Sequence, residues 1–188
     1  GLPECVADRV IPRTAVAALV AGNVVRRDDA VTRGEPGKPR ADLDNLAGDL
    51  VIYASEQCHY SVEKSADILG LGRESVRKIP TDDRFHMQTS ALLAELQRDR
   101  TAARVPCCIV GVAGATSTGV IDPLAELADI ATENNCWFHV DAAYGGALAF
   151  SDKHKAKLKG IERADSITFD PHKWMFVPFA CGATLVRD

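Results

Sequence analysis

"CCIVGVAGATSTGVIDPLAELADIATENNCWFHVD", residues 107–141, decides the fold. Its first apolar run closes at Gly114 and is typical of a strand covered on both faces, and its last run, which ends at Asp141, predicts another strand. Between them, residues 122–135 repeat apolar side chains at helical spacing, and Asp122 with Pro123 predicts an N-cap and a first helical residue. The buried side of this helix is predicted to comprise Leu124, Leu127, Ala128 and Ala131. The stretch therefore predicts strand, helix and strand.

The same alternation continues on both sides of this stretch. Further strands are predicted at 50–55, 75–80, 166–170 and 182–188, and further helices at 14–25, 61–72 and 88–103. Residues 26–45 mix charges with Gly and Pro and predict an exposed loop. The two helices nearest the first strand are predicted to bury Val62, Ala66 and Leu69, and Leu92, Leu93 and Leu96. This order predicts an α/β fold in which helices cover both faces of a mainly parallel sheet.

Composition excludes several classes of function. The net charge of -4 argues against a general nucleic-acid binder, which usually carries a basic face. No apolar run approaches the roughly 20 residues that span a bilayer, and the first residues do not resemble a signal peptide. The six cysteines form no Cys-x-x-Cys pair, and four of them lie in or beside apolar runs. We therefore expect reduced thiols in a cytoplasmic protein, with no membrane segment and no metal site.

Chemically capable side chains follow four of the predicted strands. They lie in residues 55–59, 114–118, 141–143 and 170–173, and ligands of such sheets bind beyond the carboxyl ends of the strands. Each also has a purely structural interpretation. His59 and Lys173 could be ordinary residues at strand ends, the hydroxyls of 116–118 could cap a loop, and Asp141 could cap a helix in "AAYGGALAF". Their convergence favours a site.

A lysine beside a carboxylate in a partly dry crevice has a specific use. The amine becomes nucleophilic when burial or a cationic neighbour lowers its pKa from about 10.4, and it then holds an aldehyde as a Schiff base. Pyridoxal phosphate needs such a lysine, and a carboxylate on its pyridine nitrogen. An aromatic side chain stacked on the ring, and hydroxyl or amide donors to the phosphate, also favour its binding. His59, Asp141, Lys173 and residues 114–118 would supply most of these groups.

Four segments carry a resemblance to a known family: "SEQCHYSVEKSADILGLG" (55–72), "VAGATSTGVIDPLAELADIA" (112–131), "HVDAAYGG" (139–146) and "DSITFDPHKWM" (165–175). Together they resemble the group II pyridoxal-phosphate decarboxylases of the aromatic-amino-acid, tyrosine and glutamate type. The resemblance runs from about residue 50 to 188. It implies the large domain of a fold-type I enzyme, which binds pyridoxal 5'-phosphate and converts an L-amino acid to its amine.

The resemblance also implies roles for individual residues. Lys173 would carry the Schiff base, Asp141 would pair with the pyridine nitrogen, and His59 would stack on the ring face that meets substrate. These three are the expected catalytic residues.

Four further residues would contact the cofactor. Ala143 would pack beneath its ring, His172 would lie beside it, and Thr116 and Asp170 would lie near its ring substituents and phosphate. The family forms intertwined homodimers whose active sites lie at the subunit boundary, so a second copy is the expected partner besides the amino-acid substrate.

Two departures from the family leave alternatives open. Residues 5–14 contain no Gly/Ser-rich turn of the kind that holds the phosphate, and the chain is less than half the family's length. We therefore expect 1–188 to be a single cofactor-binding domain, without the N-terminal arm and small C-terminal domain. Oxidative deamination, a lyase reaction, or a cofactor-less homologue acting as a partner subunit remain the alternatives. The apolar residues 174–176 mildly favour an aromatic or aliphatic substrate over glutamate.

Overall fold

The computed structural model describes residues 50–187. Six strands form one sheet: β1 Leu50–Ser55, β2 Val76–Ile79, β3 Val105–Val112, β4 Trp137–Asp141, β5 Ser166–Phe169 and β6 Ala183–Val186. Three α-helices lie between them: α1 Ser61–Ile68, α2 Thr89–Thr101 and α3 Leu124–Glu133. Short 3-10 helices occupy Arg73–Ser75, Gly145–Phe150, Lys155–Leu158 and Ile161–Arg163.

The sheet has the order β2-β1-β3-β4-β5-β6. Its first five strands are parallel, and β6 pairs antiparallel with β5. The mainly parallel sheet is thus confirmed, and every strand predicted within the described residues is present, although β2 is shorter than the predicted 75–80. The predictions for 14–25 and 26–45 lie outside the described residues.

Both faces of the central strands are buried. On one face, Tyr53, Ile109 and Phe138 pack with the apolar sides of α2 and α3. On the other, Ile52 and Val110 lie in a second cluster that includes Ala66 of α1. Helices therefore cover both faces, as the unbroken apolar run of β3 indicated.

Two predicted core leucines are exposed. Leu69 is the C-cap of α1 and keeps helical backbone angles, but at this end of the helix its side chain is 42% exposed. Leu93 is 46% exposed, whereas Leu92 and Leu96 are buried. Adjacent helical residues point about 100° apart. Because Leu92 and Leu96 face the sheet, Leu93 points to the side and toward solvent. The predicted buried side of α3 is confirmed.

Asp122 does not cap α3, and that prediction was wrong. The helix begins at Leu124, and Pro123 occupies the N-cap position without a side-chain hydrogen bond. Asp122 is instead buried, and its carboxylate accepts the backbone N–H of Met87 at 2.8 Å and of Val112 at 2.9 Å. It ties the loop before α2 to the end of β3.

Candidate active site

A cavity of about 350 Å³ opens at the carboxyl ends of β1, β3, β4 and β5. Because these four strands are neighbours and parallel, the loops that follow them meet at one edge of the sheet. The cavity walls include all seven site residues predicted from the sequence: His59, Thr116, Asp141, Ala143, Asp170, His172 and Lys173. The convergence inferred from strand ends is therefore present in the structure.

Close backbone contact brings two of these loops together. Gly114, at the end of β3, has a φ of +90°, and a Cβ there would lie 2.8 Å from the backbone nitrogen of Gly145. The N–H of Gly145 donates to the carbonyl of Ala113 at 2.9 Å. Glycine at 114 and 145 thus lets the loop after β4 lie against the loop after β3 and close one wall of the cavity.

Lys173 lies in a turn just beyond β5 rather than on the strand itself. Its backbone N–H donates to the carbonyl of Asp170, and its Nζ lies 2.8 Å from Oδ2 of the same residue. The ammonium also sits 4.5 Å from the centre of the Tyr144 ring. The side chain is 26% exposed, so the partly dry environment expected for it is observed. Its charged partner is the Asp170 carboxylate, and of the two activating features named from the sequence, burial or a cationic neighbour, the structure shows partial burial.

Asp141 ends β4 and faces the cavity half-buried. Its Oδ1 accepts the backbone N–H of Ala143 at 3.2 Å. No α-helix follows for it to cap, because the segment "AAYGGALAF" forms a 3-10 helix only from Gly145 to Phe150. The carboxylate therefore supports a local turn and still borders the cavity.

His59 stands at the exposed mouth of the cavity. Its Nδ1 accepts the backbone N–H of Ser61 at 3.3 Å and lies 2.9 Å from that residue's Oγ. Both contacts come from the first residue of α1. The start of α1 thus sets the orientation of this imidazole.

The sequence argument missed His139, which lies in the cavity floor at 2% exposure. Its Nδ1 is 2.8 Å from Ser166 Oγ and its Nε2 is 3.2 Å from Thr168 Oγ1. The Trp137 indole N–H donates to the same Ser166 oxygen at 2.8 Å. Burial lowers the pKa of His139 from 6.5 to about 3, so the ring is neutral at physiological pH. The alternation of strand side chains could have found it, because residues 139 and 141 share a face.

Tyr144 was also missed. Its ring lines the cavity, contacts the Lys173 ammonium, and lies 6.1 Å from the Trp174 ring in an edge-on arrangement. An aromatic residue three positions after a strand carries no signal that separates this role from ordinary packing. Its place over the lysine depends on the turn at 170–173, which the sequence pattern did not predict.

Within 50–187, no three His, Cys, Asp or Glu side chains gather as a metal ion would require. No helix in this part of the chain is long and apolar enough to cross a membrane. The cysteines at 58, 107, 108, 136 and 181 are all free thiols.

Comparison with known proteins decides the family. The profile of the pyridoxal-dependent decarboxylase conserved domain matches residues 2–188. The chain belongs to this family. It is 37% identical over 177 residues to an aromatic-L-amino-acid decarboxylase of Bacillus atrophaeus, covering 94% of this chain and 36% of the relative. It is 48% identical over 138 residues to an L-2,4-diaminobutyrate decarboxylase of Rhizobium meliloti, covering 73% and 28%.

Solved structures agree with this assignment. The apo structure of mouse CSAD superposes with a TM-score of 0.78 at 35% identity, covering 94% of this chain and 35% of that one. Oryza sativa TDC with PLP and tryptamine gives a TM-score of 0.76 at 32% identity, covering 93% and 34%. The fold is that of the fold-type I pyridoxal-phosphate enzymes, and this chain spans about a third of the length of these relatives.

Proposed function

We propose that the protein is a pyridoxal-phosphate-dependent decarboxylase that converts an L-amino acid to the corresponding amine, and that Lys173 holds the cofactor as a Schiff base. The observation that carries this proposal is the meeting of an amine, a carboxylate and an imidazole in one cavity at the strand ends. Lys173, Asp141 and His59 come from three separate loops and border the same space. Membership of a pyridoxal-dependent decarboxylase family supports the same conclusion.

The residues present fit the cofactor. Its aldehyde requires a primary amine, and the Lys173 amine borders the cavity at 26% exposure. Its pyridine nitrogen requires a carboxylate, which Asp141 supplies from the end of β4. The hydroxyl of Thr116 is a donor for the polar substituents, and Ala143 is small enough to leave room for a ring. Asp170 and His172 complete the cofactor contacts, while the phosphate turn sought in 5–14 lies outside the described residues.

Each side chain has a defined task in this mechanism. When bound, the cofactor supplies an electron sink for the bond to the departing carboxylate. Asp141 holds a proton at the ring nitrogen, which keeps that sink strong, since a charge-assisted contact strengthens as negative charge flows toward it. His59, at the mouth of the cavity, would cover the open face of the ring where the substrate enters. Lys173 would hold the cofactor through its amine.

We propose a homodimer with the active site at the subunit boundary. An apolar segment follows Lys173 directly, in which Phe176 and Phe179 are 91% and 87% exposed, and Trp174 and Met175 are 48% and 41% exposed. Large apolar side chains clustered at the surface mark interaction sites, and these adjoin the cavity. In this proposal residues 1–188 form the cofactor-binding domain of a longer cytoplasmic enzyme, a compartment that the free thiols support.

The substrate is proposed only as an L-amino acid. The relatives named above act on aromatic and on basic amino acids, and an aspartate 1-decarboxylase of Aliivibrio fischeri is 39% identical over 171 residues. Similarity to all of them leaves the side-chain preference open. The weak preference for aromatic or aliphatic substrates drawn from residues 174–176 therefore remains a hypothesis.

Oxidative deamination is the second candidate. A Rhodiola rosea 4-hydroxyphenylacetaldehyde synthase superposes with a TM-score of 0.75 at 29% identity, covering 94% of this chain. A fold shared this closely is compatible with an aldehyde-forming reaction at the same cavity. Product analysis separates the two, because decarboxylation yields the amine and oxidative deamination yields the aldehyde.

The test is carbon dioxide release from a panel of aromatic, aliphatic, basic and acidic L-amino acids by the full-length protein. We expect release from one class of substrate, with the amine as product, and a visible absorbance band that borohydride removes. Lys173→Ala should abolish both, whereas the control Lys159→Ala, in the exposed turn after the 3-10 helix Lys155–Leu158 and outside the cavity, should retain both. A purified protein without the band, inactive on every substrate, would instead favour a cofactor-less partner subunit.

A further inference from the structure

Asp170 and Lys173 form a short ion pair in the cavity wall. Oδ2 of Asp170 lies 2.8 Å from Nζ of Lys173, and the two side chains are 19% and 26% exposed. The pair closes a turn that the backbone also closes, since the Lys173 N–H donates to the Asp170 carbonyl at 3.0 Å. A carboxylate at this distance is within reach of any proton that the amine gains or loses.

The surroundings hold Asp170 in place. A Cβ added at Gly182 would lie 3.0 Å from Asp170 Oδ1, so the carboxylate packs directly against the backbone before β6. The N–H of His172 donates to the Cys181 carbonyl at 3.3 Å and ties the same turn to that segment. The carboxylate thus has one oxygen against Gly182 and the other on the lysine, which leaves it little freedom to leave its partner.

We infer that Asp170 is the proton partner of Lys173: it accepts a proton when the amine attacks the cofactor's aldehyde and returns it to the imine nitrogen that forms. This inference rests on the proposed function. The balance closes without another acid or base, because an ammonium and an aldehyde give a protonated imine and one water. The C=N bond forms, the aldehyde oxygen leaves as water, and the net charge is unchanged.

Other ionisable side chains surround the lysine, but none of them has the contact with Nζ that Asp170 has. Asp141, His59 and His172 border the same cavity, while His139 lies in its floor and Tyr144 covers the ammonium. Asp141 is the second carboxylate, and it sits at the end of β4 with one oxygen on the Ala143 N–H. Asp170 is the one whose oxygen contacts Nζ, and after the imine forms it remains as the counter-ion of the protonated nitrogen.

The first test uses the absorbance of the full-length protein with its cofactor as a function of pH. An opposite charge in contact favours the protonated form of its partner. Asp170→Asn should therefore lose the band of the protonated imine at a lower pH than the unsubstituted protein. Asp170→Glu, which restores the charge, should return the transition toward its original pH.

The chain offers a matched control. Asp152 and Lys155 form another pair three residues apart, at 2.6 Å, with Asp152 exposed and outside the cavity. Asp152→Asn removes an equally short pair of the same spacing and should leave the spectral transition unchanged. Equal transitions in Asp170→Asn and the unsubstituted protein would overturn the inference.

A second test needs no cofactor. In cofactor-free full-length protein, an amine-acylating reagent should modify Lys173 faster in Asp170→Asn than in the unsubstituted chain at neutral pH, because the carboxylate that holds Nζ at 2.8 Å is gone. Mass spectrometry of the peptide that carries Lys173 gives the rate, and Lys159 serves as the internal standard. Unchanged reactivity would refute the contact itself. If the acylation rate of Lys173 changed but the protein never developed the visible band, the contact between Asp170 and Lys173 would stand. The proposed function, and the proton exchange that depends on it, would be refuted.

Discussion

Replacing His139 by Asn should remove a defined part of the pH dependence of folding. Burial lowers the pKa of His139 to about 3, against an ordinary value of 6.5 in an unfolded chain. Below pH 6.5 the unfolded state therefore binds a proton that the folded state refuses. The stability that this histidine contributes is complete above pH 6.5 and is lost as the pH falls from there toward 3.

The size of the effect follows from that difference. Each pH unit between the two values costs about 1.4 kcal/mol, and the loss between pH 7.5 and pH 5.5 is about 1.4 kcal/mol once the gradual onset near 6.5 is included. His139→Asn lacks the titrating ring. Between pH 7.5 and pH 5.5 its free energy of unfolding should therefore fall by less than that of the unsubstituted protein, and the difference should be about the loss given above. Asn can still bond to Ser166, which limits the cost of the substitution itself.

The assay is urea unfolding of the full-length protein at pH 5.5, 6.5 and 7.5, compared with His139→Asn. Comparing the two proteins cancels titrations that they share. Thr132→Val removes a hydrogen bond within α3 and no titrating group, so it controls for destabilisation as such. Parallel pH dependences for His139→Asn and the unsubstituted protein would refute the buried, neutral histidine.

Three further predictions concern single side chains. Asp141→Asn should keep part of the cofactor but lose on the order of 10²-fold in turnover, measured as carbon dioxide release, and normal turnover would reduce Asp141 to a support for the Ala143 turn. A thiol reagent at pH 8 should label the half-buried Cys181 in the folded protein and spare Cys58, whose pKa burial raises to about 12; equal labelling before unfolding would contradict that burial. Asp122→Ala should lower the free energy of unfolding by about 1–3 kcal/mol, because two buried N–H groups lose their acceptor. The urea midpoint measures this, and an unchanged midpoint would contradict it.

The parts of the fold that could be predicted well are those that follow from the pattern of apolar residues. The unbroken apolar run of β3 indicated a strand buried on both faces, and the spacing of apolar residues in 122–135 matched the buried side of α3. Periodicity gives the side of a helix on which a residue lies but not how deeply it is buried: Leu69 shares a side with Ala66, yet Ala66 is buried and Leu69 is exposed.

Asp122 shows a second limit. Asp before Pro is a frequent helix start, but this carboxylate satisfies two backbone N–H groups that come from distant parts of the chain. A long-range hydrogen bond of this kind leaves no local pattern in the sequence.

The candidate site also has a part that could be predicted from the sequence and a part that could not. Strand ends predicted which loops would meet, because the carboxyl ends of parallel strands share one edge of the sheet. The contacts within the site depend on turns that no period describes. The ion pair of Asp170 with Lys173 and the position of Tyr144 over the amine both arise from the turn at 170–173.

Borohydride reduction of the full-length protein, followed by peptide mass spectrometry, tests the central claim most directly. The account predicts loss of the visible band and a single pyridoxyl adduct on Lys173, whose amine borders the cavity. Lys64 and Lys159 are the alternative lysines for this test. Both are exposed, and neither lines the cavity. An adduct on either of them, with Lys173 unmodified, would contradict the account.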